Sequence, residues 1–147
     1  MTWTLTGVTS LGTTINGSFV FDADTSTYSS INITTSGGSV IPSKTWVALA
    51  GCCIHQSNRV ALVDTSATNQ TGANFVGLLF SANLTDAGGS VALLKTGQGT
   101  CLVPTCISAQ PYSNDPSLGV NTSVTGSVVA STPISATPAP ATLGLVC

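Results

Sequence analysis

Residues 74–94 read NFVGLLFSANLTDAGGSVALL, and this stretch decides the fold class. It contains two apolar runs, Phe75–Phe80 and Val91–Leu94, separated by a polar link that ends in Gly88-Gly89. Apolar runs of four to eight residues bounded by turn residues are typical of buried strands. The stretch therefore predicts two buried strands at the centre of a sheet or sandwich, against which the other segments pack.

The segments before this stretch alternate between apolar and polar residues. Trp3 and Leu5 alternate with threonines, which is the period of a half-buried strand. Ile15–Phe21 and Tyr28–Thr34 show the same period, and the polar segment Asp22–Thr27 between them is rich in residues that bond their own backbone in turns. Three strands joined by short turns predict an antiparallel meander.

The remaining segments complete the predicted architecture. Three more segments predict strands: Trp46–Ile54, Arg59–Val63 and Leu118–Ala130. Lys95–Pro116 has little periodicity, so we expect an irregular excursion rich in cysteine and proline. About eight short strands without a helical pattern predict an all-β antiparallel β-sandwich as a single domain over residues 1–130. Residues 131–147 contain several prolines and are expected to form an extended tail.

The composition excludes several classes of partner. The chain has 147 residues, 42 % of them hydrophobic and 5 % charged, with a net charge of −2. A typical soluble domain has about 25 % charged residues. Three lysines and arginines in total cannot neutralise the phosphates of a nucleic acid or hold the chain on anionic lipid. High hydrophobicity with low charge also argues against a disordered chain.

The five cysteines and the low fraction of charged residues point to an oxidising compartment. Cys101 and Cys106 are separated by four residues, a spacing that closes a tight disulfide loop worth about 2 kcal/mol by chain entropy. Cys52 and Cys53 are adjacent, so on a strand they would point to opposite faces. Cys147 is the fifth cysteine, and an odd number leaves at least one thiol unpaired.

Two groups of residues have the ligand types that metals use. Asp22 and Asp24 offer carboxylates to calcium, but no third acid is near them in sequence, and an Asx turn that closes a hairpin explains them. The other group has zinc-type ligands in the spacing of no familiar zinc motif: Cys52, Cys53, His55, Cys101 and Cys106. We therefore predict no metal site and no cofactor.

No catalytic constellation is evident in the sequence. His55 lies beside Cys53, but a nucleophile and its base normally come from separate segments. Glycoside hydrolysis usually needs two carboxylates across one bond. Asp64, Asp86 and Asp115 are the candidates outside the first hairpin, and nothing favours a pair among them. We predict that the protein is not an enzyme.

Sugar binding is the more plausible chemistry for a β-sandwich. Exposed aromatic rings stack on pyranose rings, and the chain has four candidates: Trp3, Tyr28, Trp46 and Tyr112. Tyr112 lies in the proline-rich excursion and is the best candidate for exposure. We take Tyr112 and Trp46 as the candidate ligand-binding residues. The alternative is that both tryptophans belong to the core, which suits Trp3 at the start of a strand.

Several segments, taken in their order along the chain, carry a resemblance to a known family: Trp3–Val8, Gly17–Asp22, Tyr28 with Ile31–Thr34, Leu84–Leu94, Leu118–Val120, Thr125–Val129 and Pro138–Val146. Together they resemble bacterial exported proteins that end in a PEP-CTERM sorting signal. The last segment is similar to the start of the sorting tail. It departs from the family's pattern at Ala139, where an acidic residue is expected, in its short apolar run and in its lack of a basic cluster.

The resemblance implies an exported, threonine-rich protein of the cell surface or extracellular matrix. It implies extracellular polysaccharide or other surface proteins as partners, and only transient contact with the membrane through a tail that is incomplete here. Met1 leads directly into Thr2–Leu5 without a signal-peptide pattern, so either the leader is missing or the protein stays inside the cell. We expect a non-catalytic exported β-sandwich. The alternative is a carbohydrate-binding module associated with exopolysaccharide.

Overall fold

The computed structural model describes residues 1–39, 41–51, 55–106, 109–111, 120–121 and 124–131. Within these ranges the chain forms eleven strands and no helix. The strands are β1 (Thr2–Ser10), β2 (Thr13–Asp22), β3 (Thr27–Gly37), β4 (Lys44–Trp46), β5 (Ala48–Leu49), β6 (Arg59–Val63), β7 (Asn74–Phe80), β8 (Ser90–Cys101), β9 (Ala109–Pro111), β10 (Val120–Asn121) and β11 (Val124–Ala130). The predicted tail lies outside the described residues from position 132 onward.

The strands form one antiparallel sheet that nearly closes on itself. Nine of them follow the order β4-β3-β2-β1-β11-β8-β7-β6-β5, and β9 and β10 pair with β8. The edge strands β4 and β5 are separated in the chain by Val47, whose N–H donates to the carbonyl of Val63 at 3.1 Å. Of the predicted strand Trp46–Ile54, Trp46 ends β4 and Ala48–Leu49 form β5, on opposite edges of the sheet, and residues 52–54 lie outside the described residues. The all-β antiparallel prediction is confirmed.

The two halves of the sheet face each other across one core. Phe19 on β2 and Phe80 on β7 stack with ring centroids 6.1 Å apart, although three strands separate them in the sheet. The hydroxyls of Ser10 on β1 and Thr96 on β8 lie 2.6 Å apart in the same interior. The sandwich is thus one folded sheet, in which β8 pairs with β11 at its start and with β7 beyond it.

β8 corrects the prediction that the chain becomes irregular at Lys95. The strand continues to Cys101 through a bulge, since Leu79 pairs with Lys95 and Phe80 with Leu93. The inward residues after the bulge include Thr96 and Gln98, both buried. Because these inward residues are polar, the alternation that marks a strand is invisible in the hydropathy of the sequence.

Bulges also reset the alternation in the first meander. Leu5 and Val8 are both buried although they are three residues apart, because the register of β1 shifts between them. Gly7 supplies the extra residue with a φ of +61°. Gly126 on β11 lies directly against it with a φ of +94°, and a Cβ there would be 2.6 Å from the Gly7 carbonyl. The positive φ of Gly7 therefore permits the bulge, and the missing Cβ of Gly126 lets β11 approach it closely.

Candidate functional site

Trp46 is not a surface residue, which corrects its selection as a sugar-stacking residue. Its ring is fully buried, and its indole N–H donates to the Thr35 hydroxyl at 3.1 Å. Trp3 is also fully buried and Tyr28 nearly so. The alternative that both tryptophans serve the core is the observed arrangement. Tyr112, the other candidate, lies outside the described residues.

The predicted disulfide between Cys101 and Cys106 is present and buried. Its loop is tied to the chain before β7: the Gly72 N–H donates to the Cys101 carbonyl, and the Cys101 N–H donates to the Ala73 carbonyl, both at 2.8 Å. The Gln70 N–H donates to the carbonyl of Pro104 at 2.9 Å. These bonds make the bridge part of the structural framework. Cys52, Cys53 and Cys147 lie outside the described residues.

His55 is used to hold the backbone. Its Nε2 lies 2.7 Å from the Ala50 carbonyl, which can only accept, so Nε2 carries the proton. Contact between His55 and Cys53 falls outside the described part of the chain. In that part, neither salt bridge that the structure shows involves His55.

The structure adds a third acid to the predicted pair. Carboxylate oxygens of Asp22, Asp24 and Asp86 all lie within 4.8 Å of one another. The Asx turn is also present, because the N–H groups of Asp24 and Thr25 donate to Asp22 Oδ1 at 3.0 and 3.3 Å. These donors engage the Asp22 oxygen, and the Met1 ammonium lies 3.8 Å from Asp86 Oδ1. The three acids are turn and surface groups, and alone they do not define a cation site.

Hydrogen bonds from Thr25 hold the pKa of Asp22 below its ordinary value, which is the opposite of what a general acid needs. Glycoside hydrolysis requires one carboxyl with a raised pKa. In the described residues the remaining acid, Asp64, is paired with Lys44 at 2.7 Å. In the described part of the chain, Asp22 and Asp64 therefore lack the raised pKa that a general acid needs. Asp115 lies outside it.

The Lys44–Asp64 ion pair makes the stability of the fold sensitive to acid. Burial raises the pKa of Asp64, but hydrogen bonds from Lys44 and Asn74 outweigh burial and hold the pKa below its ordinary value. Stability from a carboxyl with a depressed pKa is present above its unfolded pKa and is lost as pH falls through its folded pKa. We expect Asp64→Asn to lower the free energy of unfolding by about 1 kcal/mol at neutral pH.

Urea unfolding of wild type and Asp64→Asn at neutral pH and near pH 2, about two units below the ordinary pKa of Asp, checks this expectation. The difference between the two proteins should shrink in acid. Asp86→Asn removes an exposed carboxylate and is the charge-matched control. If the free energies of unfolding of wild type and Asp64→Asn differ by the same amount at both pH values, the pKa of Asp64 is not lowered in the folded protein.

A concave apolar surface, the outer trough, lies on the face of β6, β7 and β8 that points away from the main core. It encloses about 250 Å³. At one end Arg59, Leu79 and Lys95 are register partners across the three strands. Because strands are about 4.8 Å apart, the two cations flank Leu79 at a distance that their long side chains can span.

The floor of the trough is almost free of side chains. Ala61, Gly77 and Gly97 are register partners across the same three strands and line the trough. The half-buried ring of Phe75 lines it farther along β7. Ala61 is itself buried, and the backbone of Gly77 and Gly97 is partly exposed between the aromatic ring and the two cations.

The cations at the trough differ from the third cation of the chain. Lys44 is neutralised by Asp64. Arg59 donates from Nε to Gln56 Oε1 at 2.9 Å, which orients its guanidinium without neutralising it. Neither of the salt bridges found among the described residues involves Arg59 or Lys95, and both side chains are exposed. The trough therefore combines an apolar floor with positive charge at one end.

Comparison with known proteins finds no family model that matches the chain and no significant match among curated proteins or solved structures. In the described ranges no helix is long and apolar enough to cross a membrane.

Proposed function

We propose that the protein is a non-catalytic exported β-domain of the cell surface or extracellular matrix. The observation that carries this proposal is the buried Cys101–Cys106 disulfide, whose loop is built into the backbone hydrogen bonding of the fold. Structural disulfides persist in oxidising compartments and are rare in the cytosol. A bridge of this kind suits a protein that leaves the cytoplasm.

The sequence order supports the same compartment. The segments Trp3–Val8, Gly17–Asp22 and Thr125–Val129 resemble bacterial exported proteins with PEP-CTERM sorting signals. In the fold all three contribute to strands β1, β2 and β11, which are neighbours in the sheet. Their outward positions carry mainly threonine, serine and asparagine in place of charged residues. A rigid surface with little charge suits a structural or adhesive role.

The chemistry of the described residues supports a non-catalytic role. The lining of the outer trough contains no acid, histidine or cysteine that could act as acid, base or nucleophile. His55 is bound to a backbone carbonyl, and Asp64 is bound to Lys44. Binding is the activity that these groups support.

Surface labelling of intact cells that produce the protein tests the proposed location. Lys95 is exposed and reacts with amine reagents. A membrane-impermeant biotinylation reagent should label the protein on intact cells, while a cytosolic marker stays unlabelled until lysis. Recovery of the unlabelled protein in the cytosolic fraction together with that marker would overturn the proposal.

A second candidate function is carbohydrate binding within the same exported setting. The outer trough favours it, because Phe75 and the exposed backbone of the floor offer an apolar surface to the CH face of a pyranose ring. Trp46 takes no part, since it is buried.

A further inference from the structure

The floor of the outer trough contains a glycine that the fold does not need. Gly77 has an ordinary strand φ, and the nearest atoms to a Cβ there would be those of Gly97, at 3.8 to 4.0 Å. That distance is ordinary van der Waals contact. A glycine inside a strand costs about 0.5–1 kcal/mol relative to alanine. Since neither conformation nor space requires Gly77, its effect is to keep the floor of the trough open.

The charges at the end of the trough define the kind of ligand. Two of the three cations in the chain, Arg59 and Lys95, lie there on either side of Leu79. The Arg59 guanidinium is oriented by Gln56 and is exposed. Guanidinium and ammonium groups recognise carboxylates by charge-assisted hydrogen bonds. The ligand is therefore expected to carry a carboxylate beside an apolar surface.

The open shape of the trough distinguishes between two carboxylate ligands. An acyl chain is apolar on all sides and binds best where a pocket buries most of its surface. A pyranose ring has an apolar CH face and hydroxyl groups around its edge, so one face packs while the hydroxyls stay in water. A shallow surface formed by three strands covers one face of a ligand. It suits the sugar.

We propose that the outer trough binds a uronic-acid residue of an acidic polysaccharide. The apolar face of the ring lies over Gly77 and Gly97 against Phe75, and the carboxylate lies between Arg59 and Lys95. This inference rests on the second candidate function, because it names the class of sugar and the residues that recognise it. The binding is non-covalent and reversible.

Isothermal titration of the whole chain with polygalacturonate tests the proposal, with neutral dextran and octanoate as comparison ligands. We expect Arg59→Gln and Lys95→Gln each to weaken polygalacturonate binding about fivefold. Gly77→Val, which fills the floor, should weaken it about tenfold or more, and the melting temperature of each variant is measured to show that it is folded. Binding should also weaken with added salt.

Lys44→Gln is the matched control, since it removes one cation outside the trough, and it should leave the affinity unchanged. If all three trough variants bind polygalacturonate as tightly as the wild type does, the outer trough is not the binding site, although carbohydrate binding elsewhere on the protein would still stand. Dextran binding as tight as polygalacturonate binding would overturn the proposed sugar class alone. Preference for octanoate would replace the sugar with an acyl carboxylate. Absence of binding to either polysaccharide would overturn both this inference and the second candidate function.

Discussion

Gly126→Ala is expected to lower the free energy of unfolding by about 3 kcal/mol or more. Gly126 has a φ of +94°, where an L side chain is strained, and its Cβ would lie 2.6 Å from the Gly7 carbonyl carbon and oxygen and 2.7 Å from the Val8 Cα. These are backbone atoms, which cannot rotate away. The bulge of β1 must therefore move apart from β11, and this disturbs the register that buries Leu5 and Val8.

Urea unfolding at equilibrium measures the loss, and two glycines provide controls. Gly72 has a φ of +80° but no atom within 4 Å of a Cβ, so Gly72→Ala should cost about 1 kcal/mol from backbone strain alone. Gly77→Ala should be neutral or slightly stabilising. If Gly126→Ala is no more harmful than Gly72→Ala, the close approach of β1 and β11 is not present in the protein.

Trp46→Ala is expected to lower the free energy of unfolding by about 3–5 kcal/mol, the usual cost of removing a large buried aromatic side chain. Trp46 is fully buried on β4, where the sheet edge meets the short link to β5. Its indole N–H donates to the Thr35 hydroxyl, which itself donates to the Pro42 carbonyl at 2.6 Å. The substitution removes both a large part of the core and one bond of this network.

Trp46→Phe separates the two contributions, because it keeps most of the ring volume but loses the indole donor. It should cost about 1–2 kcal/mol and leave polygalacturonate affinity unchanged. Tryptophan fluorescence of the native protein should be blue-shifted and resistant to quenching by iodide, as both tryptophans are buried. A stable Trp46→Ala variant with weakened sugar binding would contradict the burial and restore Trp46 as a stacking residue.

The sequence predicted the strands wherever side-chain alternation coincided with hydropathy. β2 shows this well, since Ile15, Phe19 and Phe21 lie on one face and all enter the core. The prediction was wrong for the end of β8, because its inward residues Thr96 and Gln98 are polar. Where the inward side chains of a strand are polar, the strand period of two does not appear in the hydropathy of the sequence.

Less of the candidate site than of the fold could be predicted from the sequence. The disulfide was predictable, because its cysteines are close in the chain. The outer trough joins residues from three strands, and its floor is recognisable only once Ala61, Gly77 and Gly97 are in register. The acid cluster has the same origin, since Asp86 reaches Asp22 through tertiary folding. The sequence signal that bears on the trough is the small number of cations. The chain has three lysines and arginines, and the fold brings two of them to the trough.

The proposal that the protein is exported is tested most directly by the oxidation state of Cys101 and Cys106 in protein isolated from the cells that make it. Free thiols are alkylated under denaturing conditions before lysis can oxidise them, and unreduced peptides are then mapped by mass spectrometry. The account predicts one peptide that carries Cys101 and Cys106 as a bridged pair: it is not alkylated before reduction, and after reduction it gains two hydrogens and is alkylated at both cysteines. Full alkylation of both cysteines without reduction would contradict it and place the protein in a reducing compartment.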